Sequence, residues 1–410
     1  MVAITVIGLI ILFFLPCTTT KNRPTILYLP DLQIFIRERT GAGKFYRKYF
    51  KIYLENKKDF LNICAIDCTM TKKSTIHDIA KTLNITASTV SRALNDHPRI
   101  SEETKRIVKA AAQKAGYRLN GVASALRSGR TYTIGVIVPT ADRSFFSAVV
   151  RGVEEVANKA GYNVMICQSN DSYQAEVKDV NALLRAQVDG VVLSLAKETS
   201  DFQHFEHLQE QGIPLVLFDR VTHHPGVSTV TIDDYWGAYK ATEHLIEQGC
   251  RRIATLAGKY QNLNIYKERL RGYREALLAH GLPVEEAYIC IVNLDIEGGR
   301  AGAAMLFDLP EPPEAVFCAS DYSALGALQY LKEKGLKVPT DVALIGFANE
   351  AFTAFIEPAM TTVDQHPVEM GQTVAKLFLE QIEAESTPFF TKNITLNADL
   401  IVRKSSLWGQ

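Results

Sequence analysis

Two short helices joined by a single tight turn constrain this chain more than anything else in it. Ile76, Ile79, Ala80 and Leu83 fall at i, i+3, i+4 and i+7, the apolar face of a helix. Asn84 tolerates the left-handed conformation that a tight turn needs. Thr86 then suits the N-cap of a second helix, whose Val90, Ala93 and Leu94 face inward while Ser88, Ser91 and Arg92 face outward. Such a pair reads as a helix-turn-helix, with its second helix free to enter a major groove. A third helix is expected from Ser101. Glu102 and Glu103 suit its positive end, Ile107, Val108, Ala111 and Ala115 its core face, and Gly116 its C-terminal cap.

The charge agrees. Met70 to Arg130 holds twelve Lys or Arg against four Asp or Glu, inside a chain whose formal net charge is zero. That is a phosphate-binding footprint, and the residues expected to meet DNA here are Thr86, Ala87, Ser88, Thr89, Ser91, Arg92 and Asn95.

The linked motifs T-I-H-D-I-A, T-V-S-R-A-L-N, I-S-E-E-T-K-R-I, A-G-Y-R-L-N and L-R-S-G-R-T-Y-T-I-G-V-I-V-P follow one another in this order. Together with what comes after, the set resembles the lactose/galactose-repressor family of bacterial transcription regulators over about residues 72–405. The stretch from Asn120 to Arg127 is too short for a stable isolated helix, since about 12–15 residues are marginal in water. Val122, Ala123 and Leu126 still share a face at helical spacing. The resemblance implies a hinge helix there, ordering on DNA, with Asn120, Ala123 and Leu126 against the nucleic acid and Leu126 wedged in the minor groove. Leu119 departs from the family, where proline is frequent. The organisation expected is a helix-turn-helix domain at 70–118, a hinge at 119–130, and an effector-binding and dimerisation domain at 131–410.

From Thr133 the pattern changes to strands alternating with helices. T-I-G-V-I-V-P, N-V-M-I-C-Q, G-V-V-L-S and P-L-V-L-F-D read as buried parallel strands, with helices near 146–160 and 175–186 between them. The theme restarts at V-S-T-V-T-I and continues through R-I-A-T-L, Y-I-C-I-V, A-V-F-C-A and V-A-L-I-G-F. The fold class expected is α/β, two doubly wound lobes of the periplasmic-binding-protein type with a cleft between them. By resemblance, the first lobe takes about 131–233 and 366–391, and the second about 234–365 and 392–410. Residues 131–410 carry a net charge of −13, opposite to the DNA-facing segment.

Ligands of such sheets bind beyond the carboxyl ends of the strands. Phe145 and Phe146 follow the first strand, Gln168 and Asn170 the second, and Asp219 with Arg220 the fourth. Apolar ring faces with amide, carboxylate and guanidinium groups suit a sugar or sugar derivative. For Asp219, helix capping or pairing with Arg220 is an equal alternative. The resemblance carries effector contact onto Phe145, Phe146, Asp219 and Arg269, and places Asp321 in a family signature that can hold structure or ligand. Ala348 stands where the family often has an effector-binding aspartate, which leaves Asn349 as its substitute or the ligand without that contact.

Enzyme motifs are missing from residues 131–410: no G-x-G-x-x-G follows a strand there, and no G-x-S-x-G or zinc-spaced Cys pair occurs in that stretch. The pairs His204/His207 and His223/His224 lack further ligands near in sequence, so they are expected to face solvent. No catalytic residue, metal or cofactor is expected. Seven cysteines without a disulfide pattern point to a reducing compartment. The function expected is a cytoplasmic, homodimeric regulator, a repressor rather than an activator on the preferred reading, that reads a pseudo-palindromic operator under control of a sugar-like effector, without a membrane partner. The alternative is an exported sugar-binding protein of the same two-lobed fold, against which the basic helical segment argues.

The first 69 residues behave differently. Val2 to Leu15 is an apolar run shorter than the roughly 20 residues that span a bilayer, and no Lys or Arg precedes it. Residues 44–60 are basic and aromatic without a clean period, and R-T-G-A-G-K-F lacks the first glycine and final Ser/Thr of a phosphate loop. No Met occurs between Met1 and Met70. Residues 1–69 are therefore expected to come from upstream of the working start. A protein beginning at Met70 should fold and bind DNA like the native one. Mass spectrometry of the protein from its host checks this, and stoichiometric peptides from residues 21–60 would refute it.

Overall fold

The computed structural model describes residues 74–117, 129–222, 224–259, 263–383 and 390–408, together with the backbone of short strands between Val2 and Ile63. The chain forms two compact units, Met1–Leu119 and Asn120–Gln410. The hinge residues Asn120, Ala123 and Leu126, like Leu119 and His223, lie outside the described residues.

In the first unit, Val2–Val6 pairs antiparallel with Leu9–Phe13. Tyr46–Leu54, where no period was visible, is a strand paired along its length with Leu32–Thr40. Its Tyr, Phe and Ile favour strands, while its interspersed Lys and Arg hide the alternation. The helical part follows the expected plan. Ile76–Leu83 opens with a capping box in which Thr75 and Asp78 each bind the other's backbone N–H. Asn84 closes that helix at φ 52°, ψ 42°. Thr86 accepts from Thr89 N–H at 3.2 Å and caps Ala87–Leu94. Glu102–Lys114 starts on Ser101 and ends in a Schellman turn, where Gly116 and Tyr117 N–H donate to Gln113 and Ala112.

Ile79, Ala80, Val90, Ala93, Val108 and Ala112 form the core of this bundle. The third helix is turned relative to expectation. Ile107 is 46% exposed and Ala115 is exposed, whereas Ala112 and the Lys105 stem are buried, with Lys105 Nζ reaching out to Glu102 at 2.6 Å. The stem covers apolar surface while its ammonium stays near solvent, which a residue-by-residue polarity pattern misses.

The second unit holds two parallel sheets. The first runs in the order Asn393–Leu396, Ser228–Ile232, Leu215–Phe218, Gly190–Leu193, Thr133–Val138, Asn163–Gln168. The second runs Ile289–Val292, Ile253–Gly258, Ala315–Cys318, Ala343–Ile345. Central strands such as Gly190–Leu193 and Leu215–Phe218 are wholly buried, in keeping with helices on both faces. Asn163–Gln168, expected as a buried strand, is an exposed edge with Met165 at 41% and Ile166 at 48%. The stretch 392–410, expected in the second lobe, is divided. Asn393–Leu396 extends the first sheet, and Asp399–Ile401 pairs antiparallel with Thr362–Asp364.

The helix Pro367–Glu383 lies against Ser144–Lys159 in the first lobe. A Cβ at Gly152 would stand 2.2 Å from Val368 O, and one at Gly371 would stand 2.0 Å from Val149 O. Only glycine lets these two backbones approach so closely.

Candidate DNA face and effector cleft

On the second helix of the bundle, Thr86, Ser88, Arg92 and Asn95 are exposed, while Ala87, Thr89 and Ser91 are half-buried at its edge. Thr86 Oγ1 lies 2.8 Å from Ser88 Oγ and 2.9 Å from Thr89 Oγ1, so the first turn presents linked hydroxyls. Asn95 Nδ2 donates to Ser91 O at 2.6 Å, which fixes its amide at the helix end. Arg92 extends from this face with an always-charged fork of donors suited to guanine edges or phosphates.

In the two-lobed unit, the polar residues collect at the carboxyl ends of the strands. Asp171, Asn170 and Asp219 all sit at left-handed φ, between 52° and 60°. Arg220 is 4% exposed and donates to Asp171 Oδ1, and to Leu195 O at 3.4 Å, while Asp171 Oδ2 takes Lys197 Nζ at 2.7 Å. Burial raises the Asp171 carboxyl, but Arg220 and Lys197 outweigh it and hold it below the usual carboxylate range. Asp219 is also buried, with its carboxylate 4.0 Å from Arg220 Nε, and burial pushes it up against the pull of Arg220 and Arg269. The Arg220 guanidinium lies over the Phe146 ring at 5.7 Å, and Phe145 meets Phe146 edge-on at 5.1 Å. Both phenylalanines are almost fully buried, so they support the wall more than they offer open faces. Asn170 is exposed at the rim, where its amide oxygen accepts from Gln168.

On the second lobe, Arg269 is 5% exposed and fully engaged. It donates to Asp234 Oδ1 and Ala319 O, both at 2.8 Å, and its guanidinium lies 3.7 Å from the centre of the Phe347 ring. Burial lifts the Asp234 carboxyl to about 7 against the pull of Arg269. Asp321 is completely buried. It accepts from Thr362 Oγ1 at 2.6 Å and Glu350 N–H at 2.8 Å, and burial pushes it up to about 7. Asn349 is likewise committed, donating to Asp364 at 3.1 Å and accepting from Arg403 at 2.9 Å. Ala348 holds φ 122°, a backbone conformation rare for a side-chain-bearing residue.

Two cavities open between these walls. One of about 200 Å³ is lined by Asn170, Asp171 and Lys197 from the first lobe and by Lys259, Tyr266 and Leu294 from the second. The other, of about 290 Å³, lies where the chain crosses between lobes and is lined by Asp219, Thr231, Asp233, Tyr235, Asn264 and Arg271. Asn170 and Asp219 thus line different cavities, and Phe145, Phe146, Arg269, Asp321 and Asn349 line neither, while Arg220 lies behind Asp171, to which it is bonded. Asp171, Lys197, Tyr266 and Asp234 were not singled out from sequence. Asp171 was detectable as the residue just past Asn170, and Asp234 as the second acid of I-D-D-Y.

Outside the cleft, His204 corrects its expectation. It is 2% exposed and bonded through Nε2 to the buried Glu176 at 2.8 Å, whereas His207 is exposed. Glu176 also accepts from Ala196 N–H at 2.6 Å and Thr199 Oγ1 at 3.1 Å, pinning the loop after the third strand. Among the described residues, no group of three or more His, Cys, Asp or Glu is placed to hold a metal ion. No helix among them is long and apolar enough to cross a membrane.

Family comparisons match both units. Residues 131–403 match the model of periplasmic binding proteins and the sugar binding domain of the LacI family, and residues 75–120 match that of bacterial regulatory proteins, lacI family. The chain belongs to the LacI family. It is 34% identical over 333 residues to the HTH-type transcriptional repressor CytR of Escherichia coli K12, covering 81% of this chain and 96% of CytR. It is 31% identical over 312 residues to catabolite control protein A of Priestia megaterium, covering 76% and 93%. Among solved structures, the transcriptional regulator CelR–cellobiose complex is 32% identical with a TM-score of 0.62, over 81% of this chain and all of that one. The lac repressor dimer bound to operator and the anti-inducer ONPF, at 24% identity and TM-score 0.71, shares the fold over 82% of this chain and all of that one. This LacI-family protein is a DNA-binding transcription regulator with a periplasmic-binding-protein-like effector domain.

The buried pair bears directly on Arg269. Arg269→Ala would leave Asp234 buried without its cation, a change expected to cost about 3–5 kcal/mol of stability. Replacing both, as Arg269→Met with Asp234→Asn, should recover much of that loss in denaturant unfolding. Equal losses in the single and double variants would show that the effect does not come from the ion pair.

Proposed function

We propose that this regulator is a cytoplasmic homodimeric repressor that reads a pseudo-palindromic operator, and that a modified or oligomeric sugar in the cleft controls it. No catalytic step is assigned. The observation that carries the effector reading is the set of buried polar groups at the carboxyl ends of the first-lobe strands. Asp219 and Arg220 stand there, and the Ser169 and Ser194 hydroxyls and Arg220 Nε have no hydrogen-bond partner among the described residues. Buried polar groups of this kind are normally satisfied, and a polyhydroxylated ligand or water supplies what they need.

In this reading Asp219, Asn170 and Arg220 bind, Phe145 and Phe146 shape the apolar side, and Arg269, Asp321 and Asn349 set the facing wall. Ala348 offers no side-chain acceptor, which disfavours a simple hexose held through a carboxylate at that position. The cellobiose of the CelR complex, a disaccharide, agrees with an oligomeric ligand. Two DNA-reading units facing a palindrome require two chains. The exposed edge strands with Met165, Ile166 and, in the second lobe, Ile291 offer apolar surface for pairing them.

Calorimetry against free, phosphorylated and oligomeric sugars tests the cleft. Asp219→Asn should weaken the best ligand tenfold or more, since a lost bond to a charged group costs about 1.5–3 kcal/mol. Tight binding of an unmodified hexose, unchanged in Asp219→Asn, would refute the reading.

For DNA, Thr86, Ala87, Ser88, Thr89, Ser91, Arg92 and Asn95 would form the major-groove face, with Asn120, Ala123 and Leu126 added from the hinge. Arg92→Ala should cost about 1–3 kcal/mol of specific binding, and Leu126→Ala should weaken operator binding and bending while sparing non-specific binding. Gel shifts at several salt concentrations measure both. Wild-type bending and affinity in Leu126→Ala would remove the hinge residues from the assignment.

A further inference from the structure

We propose that Glu350 latches the lobes together by capping, from the second lobe, a first-lobe helix that has no cap of its own. The helix is Ser144–Lys159, and its N-cap residue is Arg143, which makes no side-chain capping bond. Arginine has no acceptor to offer. The first N–H groups of a helix lack partners inside it, and its positive end favours an anion. Here the anion comes across the cleft.

Ser144 N–H donates to Glu350 Oε2 at 3.0 Å, and Ser144 Oγ donates to the same oxygen. Ala351 N–H donates back to Ser144 Oγ at 3.2 Å, so three bonds join the lobes at one point. Glu350 is only 3% exposed, a burial that a carboxylate tolerates only when hydrogen-bonded. Its backbone is fixed in turn, because Glu350 N–H donates to Asp321, which Thr362 also holds. Beside the latch, Arg143 reaches Leu294 O at 3.4 Å and lies 4.8 Å from the centre of the Tyr322 ring.

Closing the cleft and capping the helix are therefore one event. Opening it takes the carboxylate from the helix end, and Arg143 cannot replace it. Phe145 and Phe146 sit in that same first turn, so the latch also positions the apolar wall of the cleft.

The test uses the full chain without ligand, so its outcome is separate from that of the effector reading. Glu350→Ala should raise the radius of gyration in small-angle scattering. It should also speed amide exchange at residues 144–147 roughly fivefold, the size expected for a lost helix cap, while leaving the rest of the helix near its wild-type rate. Adding Arg143→Ser to Glu350→Ala gives the helix a cap from its own lobe, and should restore slow exchange while the scattering stays expanded. Wild-type scattering and exchange in Glu350→Ala would overturn the latch. Faster exchange spread over the whole domain would overturn it too, because that is the signature of general destabilisation.

Discussion

A parallel sheet covered by helices on both faces has only its strand ends free, and that constraint places the charged groups of the cleft. Within the six-stranded and four-stranded sheets every strand pair is parallel, and the central strands are fully buried. Charged side chains can leave such a layer only at the loops. Asp171, Asp219 and Arg220 do so from the first sheet, and Asp321 from the second, while Arg269 and Asp234 reach the same region from helices packed on the second sheet. The cleft follows from topology before any particular ligand is considered.

Once gathered there, Asp219, Arg220, Asp234, Arg269 and Asp321 are buried and Asp171 and Lys197 half-buried, which is expensive unless each finds a partner. They are linked in short chains. Lys197 and Arg220 share Asp171, and Arg269 joins Asp234 to Ala319 O and the Phe347 ring. These links make the walls rigid and direct the remaining donors and acceptors. They also blur the line between a residue that binds ligand and one that shapes the site, as Arg269 shows.

The fold was legible in the sequence because its signals are local and repeated. The helix-turn-helix followed from apolar spacing, Asn84 and Thr86, and the lobes from alternating strands and helices. What stayed hidden depended on long-range packing. The third helix buries the Lys105 stem and leaves Ile107 exposed, and His204 found Glu176 across 28 positions of sequence. Asn393–Leu396 was assigned to the wrong lobe because its partner, Ser228–Ile232, lies more than 160 residues earlier. At the cleft, sequence order identified the residues that follow strands, such as Asp219 and Asn170, but not the commitments of Asn349 and Asp321 to neighbours on the same lobe. Ala348 marked a departure in composition, and its positive φ became visible only in the fold.

The return of Asn393–Leu396 to the first sheet also orders events during synthesis. Strands Thr133–Val138 through Ser228–Ile232 leave the ribosome early, yet their sheet lacks its final strand until nearly the whole chain has been made. The helix Pro367–Glu383, which packs against Ser144–Lys159, arrives almost as late. The second sheet, drawn from Ile253 to Ile345, is contiguous and complete before either. The lobe begun first is thus the lobe finished last, and during translation its open edge beside Ser228–Ile232 is the surface most in need of protection from wrong partners.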